Sequence, residues 1–127
     1  IKKIHKIKLS NQQSITIWGN GRAKRELIFV DDLAEACVYF MNKKVNHNLI
    51  NIGTGIDQTV KQYTEKLLKT LIPDRKVKIK FDLSKPNGTP RKLLDVSLAK
   101  KYGWSAKTDF TSSIIETYNS YLKKNNK

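Results

Sequence analysis

The chain opens with apolar residues at helical spacing, Ile1, Ile4 and Ile7, with lysines between and Leu9 beyond, which predicts the tail of a basic helix. SITIWG then alternates Ile15 and Ile17 across Thr16 and ends on Trp18, a short strand closed by Gly19 and Gly21. ELIFVDD reads as a second strand running into a helix, with Asp31 or Asp32 capping its first free amides. On that helix the pattern turns Leu33, Cys37, Phe40 and Met41 to one buried face and ends near residues 42–44. NLINIG predicts an apolar strand turned by Gly53 and Gly55. Thr59 followed by Gln62 is a capping-box pattern that opens a helix through Leu71, stopped by Pro73. KVKIKF alternates as a strand with its lysines toward solvent. Ser97 to Tyr102 predict a short helix ended by Gly103. The last helix runs from about Phe110 to Lys124, with Ile114, Ile115, Tyr118, Tyr121 and Leu122 turned inward and a frayed KKNNK tail at its end. Strands and helices interleave without an internal repeat, so the fold class is α/β.

At 127 residues and 39% hydrophobic, the chain has the size of one domain, or part of one, with a modest core. No apolar run approaches the roughly 18 residues of a membrane span, and no succession resembles a signal peptide, so the expectation is a soluble, cytoplasmic protein. Cys37 is the single cysteine, which excludes an internal disulfide; with only His5 and His47 besides, no zinc set is legible. Cys37 reads as a small core residue. A formal net charge of +14 raises nucleic acid, anionic membrane or a phosphorylated ligand as partners. Most of the cations are lysines in a chain also rich in Asn and Ile, a bias that AT-rich coding would produce, so much of the excess reads as a solvated coat. The start at Ile1, inside an amphipathic pattern, suggests a piece of a longer protein.

Four stretches carry candidate chemistry. Tyr39 and Lys43 have the Tyr-x-x-x-Lys spacing in which a lysine lowers a tyrosine pKa for proton donation. The spacing is common, no glycine-rich cofactor loop precedes it, and it is read as a surface feature beside Glu35. INIGTGIDQT offers a Gly-x-Gly turn, but Gln58 stands where a dinucleotide fingerprint wants a third small residue, which favours a turn between strand and helix. WGNGRAKREL combines a flat apolar face, Trp18, with Arg25, whose fork of donors suits phosphate; a core Trp and a surface Arg explain it equally well. In KPNGTPRKLLDV, Pro86 and Pro90 stiffen the backbone, Asn87 and Gly88 turn it, and Arg91 and Lys92 are presented together, which suits an anion or a plain surface turn.

WGNGRAKRELIFVDDLAEA, NIGTG and SKPNGTPRKLLDVSLAKKYGW together resemble the C-terminal part of the GDP-L-fucose synthases, extended short-chain dehydrogenases/reductases of the NAD-dependent epimerase/dehydratase superfamily. The resemblance covers nearly the whole chain. It implies an NADP-dependent enzyme that epimerises GDP-4-keto-6-deoxy-D-mannose at two carbons and reduces the ketone to GDP-L-fucose. It further implies that this chain is the substrate-binding portion, with the cofactor-binding Rossmann half and the catalytic residues preceding it, so that neither catalytic nor NADP-binding residues lie here. The substrate contacts it implies are Lys3, Trp18, Arg25, Asn87 and Lys92. Asn87 stands where the family often has Asp, keeping an acceptor and losing a charge. The implied partners are the GDP-sugar and a second copy in a homodimer, with no nucleic acid and no membrane. Two other readings stand beside it: another nucleotide-sugar epimerase or dehydratase of the superfamily, and a basic nucleic-acid-binding module.

Overall fold

The computed structural model of the chain describes residues 1–125. Helix α1 (Lys2–Lys8) leads into β1 (Ser14–Trp18), and then come β2 (Lys24–Glu26) and α2 (Val30–Met41). They are followed by β3 (Asp57–Thr59), α3 (Val60–Leu71), β4 (Lys78–Asp82), β5 (Arg91–Lys92), α4 (Ser97–Lys101) and α5 (Phe110–Asn125). The class is α/β, as expected. β1 and β4 form a parallel pair from Ser14↔Lys78 to Trp18↔Asp82, and the second sheet has the order β3-β2-β5. Among the described residues no helix is long and apolar enough to cross a membrane.

The first core cluster joins Ile4 and Ile7 of α1, Ile15 of β1, Leu68 and Leu71 of α3, Ile72 and Tyr118 of α5. Its members are those at helical or alternate spacing, the mark of elements that each bury one face. Thr59 and Gln62 close a full capping box at the start of α3, with Gln62 N–H donating to Thr59 Oγ1 at 3.1 Å and Thr59 N–H to Gln62 Oε1 at 2.9 Å. Ile115 is the exception on α5, 45% exposed although its neighbour Ile114 packs inward. α5 also runs one residue past Lys124, so the first part of the expected frayed tail is helical; Asn126 and Lys127 lie outside the described residues.

The second cluster departs further from expectation. Its buried members are Ala36 of α2, Ala99 of α4 and Trp104, with Ile28, Tyr39, Phe40, Ile50, Ile52 and Ala106 packed around them. α2 therefore buries Asp32, Ala36 and Phe40, while Leu33, Cys37 and Met41 face outward, Met41 83% exposed. Of the expected face only Phe40 packs, and Leu33, Cys37 and Met41 do not, because this helix is apolar on two sides and spacing cannot say which one packs. The small Ala36 and Ala99 decide it by letting the Trp104 ring approach closely. Cys37 is accordingly exposed rather than a core residue.

Phe29, in extended geometry, occupies the N-cap of α2 without a side-chain cap bond. Asp31 and Asp32 lie in the first turn, where a carboxylate complements the helix dipole. Buried Asp32 accepts from Thr108 N–H at 3.0 Å and Thr108 Oγ1 at 2.8 Å, tying α2 to the segment before α5. The strand predicted through ELIFVDD stops at Glu26 because its neighbours end there, β3 starting at Asp57 and β5 ending at Lys92. NLINIG forms no ladder: Ile50 and Ile52 pack on the second cluster, Leu49 is 76% exposed, and no described strand lies alongside.

Candidate functional site

β2 is the spine on which the candidate residues meet. It pairs antiparallel with β3 through Arg25↔Gln58 and parallel with β5 through Arg25↔Lys92. Register partners on adjacent strands lie about 5 Å apart and share a face. Two cations separated by 66 intervening residues are thus brought side by side. Arg91, on the other face, forms an ion pair with Asp57. The hydrogen bond and charge of Arg91 hold the Asp57 carboxyl below its ordinary value and raise the guanidinium in return. Of the adjacent pair Arg91 and Lys92, Arg91 is therefore committed, and Lys92 makes no ion pair among the described residues.

The loop before β5 is fastened at three consecutive residues. Asn87 Oδ1 accepts the Asn20 N–H at 2.8 Å, Gly88 turns at φ +72° against the Arg25 guanidinium, and the Thr89 carbonyl accepts from Arg25 Nη1 at 2.7 Å. Arg25 Nη1 also donates to the Lys24 carbonyl at 2.6 Å, and Lys24 N–H donates to the Pro90 carbonyl at 2.8 Å. Trp18 ends β1 and is 66% exposed as a residue, and Lys85 Nζ stands 5.9 Å from its ring centroid. The turn that follows Trp18 leans on α3, whose first amides at Val60 and Lys61 donate to the Ala23 and Gly21 carbonyls.

Trp18, Arg25, Asn87 and Lys92 consequently belong to one continuous wall: an exposed indole, two cations and a proline-stiffened loop. Lys3 is placed differently. Its Nζ donates to the Thr16 carbonyl at 2.8 Å, so it braces β1 two residues before Trp18.

Sequence reasoning missed Glu26. Its carboxylate accepts from Gly55 N–H at 2.7 Å and Thr54 Oγ1 at 3.3 Å on one oxygen, and from Leu94 N–H at 2.9 Å on the other. A Cβ on Gly53 would come within 2.4 Å of it. Glu26 thereby binds the NIGTG turn to the end of the loop. The available signal was an acid directly before an apolar run, a position that asks for buried partners. The same contacts bear on NIGTG as a turn: the Gly55 amide is turned onto an internal carboxylate, and Gly53 leaves room for that carboxylate. Tyr39 is likewise occupied, its hydroxyl donating to the Tyr102 carbonyl at 2.8 Å and accepting from Lys43 at 2.9 Å.

Residues 1–53 match the family of NAD dependent epimerases/dehydratases. A putative GDP-L-fucose synthase of Arabidopsis thaliana is 37% identical over 97% of this chain, and a GDP-L-colitose synthase of Yersinia pseudotuberculosis is 38% identical over 99%. Over nearly its whole length the chain is similar to the GDP-L-fucose synthases. It spans 37% of the length of the Arabidopsis protein and 41% of the Yersinia one. Among solved structures, a GDP-mannoheptose C4 reductase of Campylobacter jejuni with NADP bound superposes with a TM-score of 0.72 at 29% identity, covering 94% of this chain and 39% of that one.

Proposed function

We propose that this chain is the GDP-sugar-gripping portion of an NADP-dependent epimerase/reductase that converts GDP-4-keto-6-deoxy-D-mannose to GDP-L-fucose. The observation that carries the reading is the pairing of Arg25 with Lys92 beside the exposed Trp18. A GDP-sugar concentrates its charge on the diphosphate, and two cations converging on it form charge-assisted hydrogen bonds. The flat indole offers a stacking face for a base or sugar ring. Because Arg25 is already braced by its bond to Thr89, little of its freedom remains to be lost on binding. The relatives share the GDP moiety and differ in the sugar, so their names support the nucleotide more strongly than the sugar.

Proton transfer and cofactor binding belong, on this reading, to a preceding Rossmann half. The hydride for ketone reduction comes from NADPH held there. Two features support such a half: α2 presents a second apolar stripe to solvent, and the segment carrying Leu49, Ile50 and Ile52 pairs with no described strand. Val30 carries the stripe into a groove of about 680 Å³ lined by Leu27, Ile56, Tyr63, Phe110 and Ile114. An apolar helix face and an apolar segment outside any sheet are together what a sheet contributed from elsewhere would cover.

The test is calorimetric titration of the protein with GDP, UDP and dTDP at two salt concentrations. GDP should bind most tightly, with the shallow salt dependence of a single diphosphate. Equal affinity for all three would move the assignment to another nucleotide-sugar enzyme, and a steep salt slope toward oligonucleotides would favour a nucleic-acid-binding module. The chain alone should show no NADPH oxidation with GDP-4-keto-6-deoxy-D-mannose; turnover above a no-enzyme control would overturn the division of labour.

A further inference from the structure

The wall is assembled from two segments far apart in sequence, the turn after Trp18 and the loop at residues 85–92, and the Asn87 side chain of the loop bonds directly to the backbone of the turn. We propose that Asn87 is a positioning residue whose side-chain carbonyl, by accepting the Asn20 amide, locks the Trp18 turn to the cationic loop so that indole and cations address a single ligand. The ligand half of this proposal rests on the GDP-sugar reading above.

Three observations carry it. The bond runs from Asn20 N–H to Asn87 Oδ1 at 2.8 Å, and the Asn20 side chain is turned away to accept the Arg22 N–H at 3.0 Å, so the latch closes on backbone. The segments also meet too closely for any side chain between them. Gly19, at φ +66°, could carry a Cβ only 2.6 Å from Asn87 Oδ1, 3.0 Å from Asn87 Cα and 3.2 Å from the Pro86 carbonyl. Beyond the latch, Gly88 and Thr89 lie against Arg25, so displacement of Asn87 would be passed directly to the cation. An acceptor oxygen is all the latch requires. Asp would serve in the same place, and the charge that Asn lacks is not needed for it.

Amide hydrogen exchange at Asn20 and calorimetric titration with GDP, on the wild type, Asn87→Asp and Asn87→Ala, test the proposal. Asn87→Asp should keep the Asn20 amide protected and GDP affinity within about threefold. Asn87→Ala should speed exchange at Asn20 and weaken GDP binding, each by about 10-fold, the size expected for one lost hydrogen bond. Gly19→Ala, which wedges the same seam with Asn87 intact, should reproduce both changes. Unchanged protection at Asn20 in Asn87→Ala would overturn the latch. Lost protection with unchanged GDP affinity would overturn its positioning role. An Asp variant that keeps the protection but loses as much affinity as Ala would make Asn87 a direct ligand through its amide nitrogen, which also overturns the proposal. Failure of the wild type to bind GDP would remove the site reading and the ligand half with it, and is told apart because the exchange comparison needs no ligand.

Discussion

Ile4, Ile7, Ile15, Leu68, Leu71 and Tyr118 pack together from three helices and β1, whereas Ala36, Ala99 and Trp104 form a smaller cluster between α2, α4 and the segment after α4. In the first cluster each helix has one apolar stripe, and that stripe is the one that packs. In the second, α2 has two, and the stripe of Val30, Leu33, Cys37, Val38 and Met41 is left in solvent. The first region packs the one stripe each helix has; the second leaves one of the two apolar faces of α2 exposed. The proposed ligand wall lies along the seam between them: Trp18 closes a strand of the first cluster, and the loop of residues 85–96 leads to α4 of the second.

The sharpest way to break this comparison is to empty the second cluster. Trp104 is 2% exposed and is the largest fully buried side chain, with its indole N–H bonded to Glu35. That bond, followed by the one from Lys107, holds the Glu35 carboxyl below its ordinary value. Trp104→Ala should destabilise the chain by about 3–5 kcal/mol in denaturant unfolding, as for other large-to-small core changes. Ile7→Ala in the first cluster should cost a comparable amount, about 2–5 kcal/mol. If Trp104→Ala cost under about 1 kcal/mol while Ile7→Ala cost its full amount, the second cluster would be no core in this chain.

A second test separates the seam from both clusters. Arg25→Ala or Lys92→Ala should weaken GDP binding by about 10- to 100-fold, the loss of one charge-assisted contact, and leave the unfolding midpoint nearly unchanged for Lys92→Ala. Arg25→Lys should recover only part of the loss, because an ammonium cannot both brace the Thr89 carbonyl and present a planar fork. NADPH affinity in an active enzyme that carries this sequence should be unaffected by either change. Equal losses for both ligands would signal disturbed folding and not a lost grip.

What was legible follows the same division. α1, β1, α3, β4, α4 and α5 were readable because each has a single apolar period, a capping box or a terminal glycine, and these are local properties. The residues of the wall were legible as types, Trp, Arg, Asn and Lys beside turn formers, but not as a constellation. Which of Arg91 and Lys92 is committed depends on Asp57, brought near by strand register, and the latch depends on a backbone amide at Asn20, which no sequence pattern marks. The extent of α2 was legible as well, but its buried face and the state of NLINIG were misread for another reason. α2 is apolar on two sides, so spacing leaves its buried face undetermined, and a short apolar run such as NLINIG does not by its period tell a strand from an irregular segment.

Tyr39→Phe gives a smaller effect on the second cluster. The hydroxyl joins α2 to the Tyr102 carbonyl next to Gly103, where an added Cβ would lie 3.0 Å from it. Removing it should cost about 0.5–1.5 kcal/mol of stability, one partly buried hydrogen bond. The rate of an active enzyme carrying this sequence should stay within a few-fold of wild type. A fall of about 100-fold, the scale of a lost general acid, would restore the Tyr-x-x-x-Lys pair to catalysis.

The smallest effect expected is the one that bears most directly on the two-faced character of α2. Val38 is 59% exposed and Met41 83%, and neither belongs to a buried cluster. In this chain Val38→Thr and Met41→Ser should therefore each change stability by less than about 0.5 kcal/mol, as surface substitutions do. The same two changes in a longer protein that contains the proposed cofactor-binding half should cost about 1–3 kcal/mol each, because the stripe would then be buried and a hydroxyl would enter an apolar contact. Unfolding curves for both variants in both contexts decide the matter. A large cost in this chain alone would mean that the outer face of α2 is already packed, by a second copy, and the dependence of the midpoint on protein concentration would reveal it. A negligible cost in the longer protein would leave the stripe without a partner and would remove the main structural support for a preceding half that docks on this side.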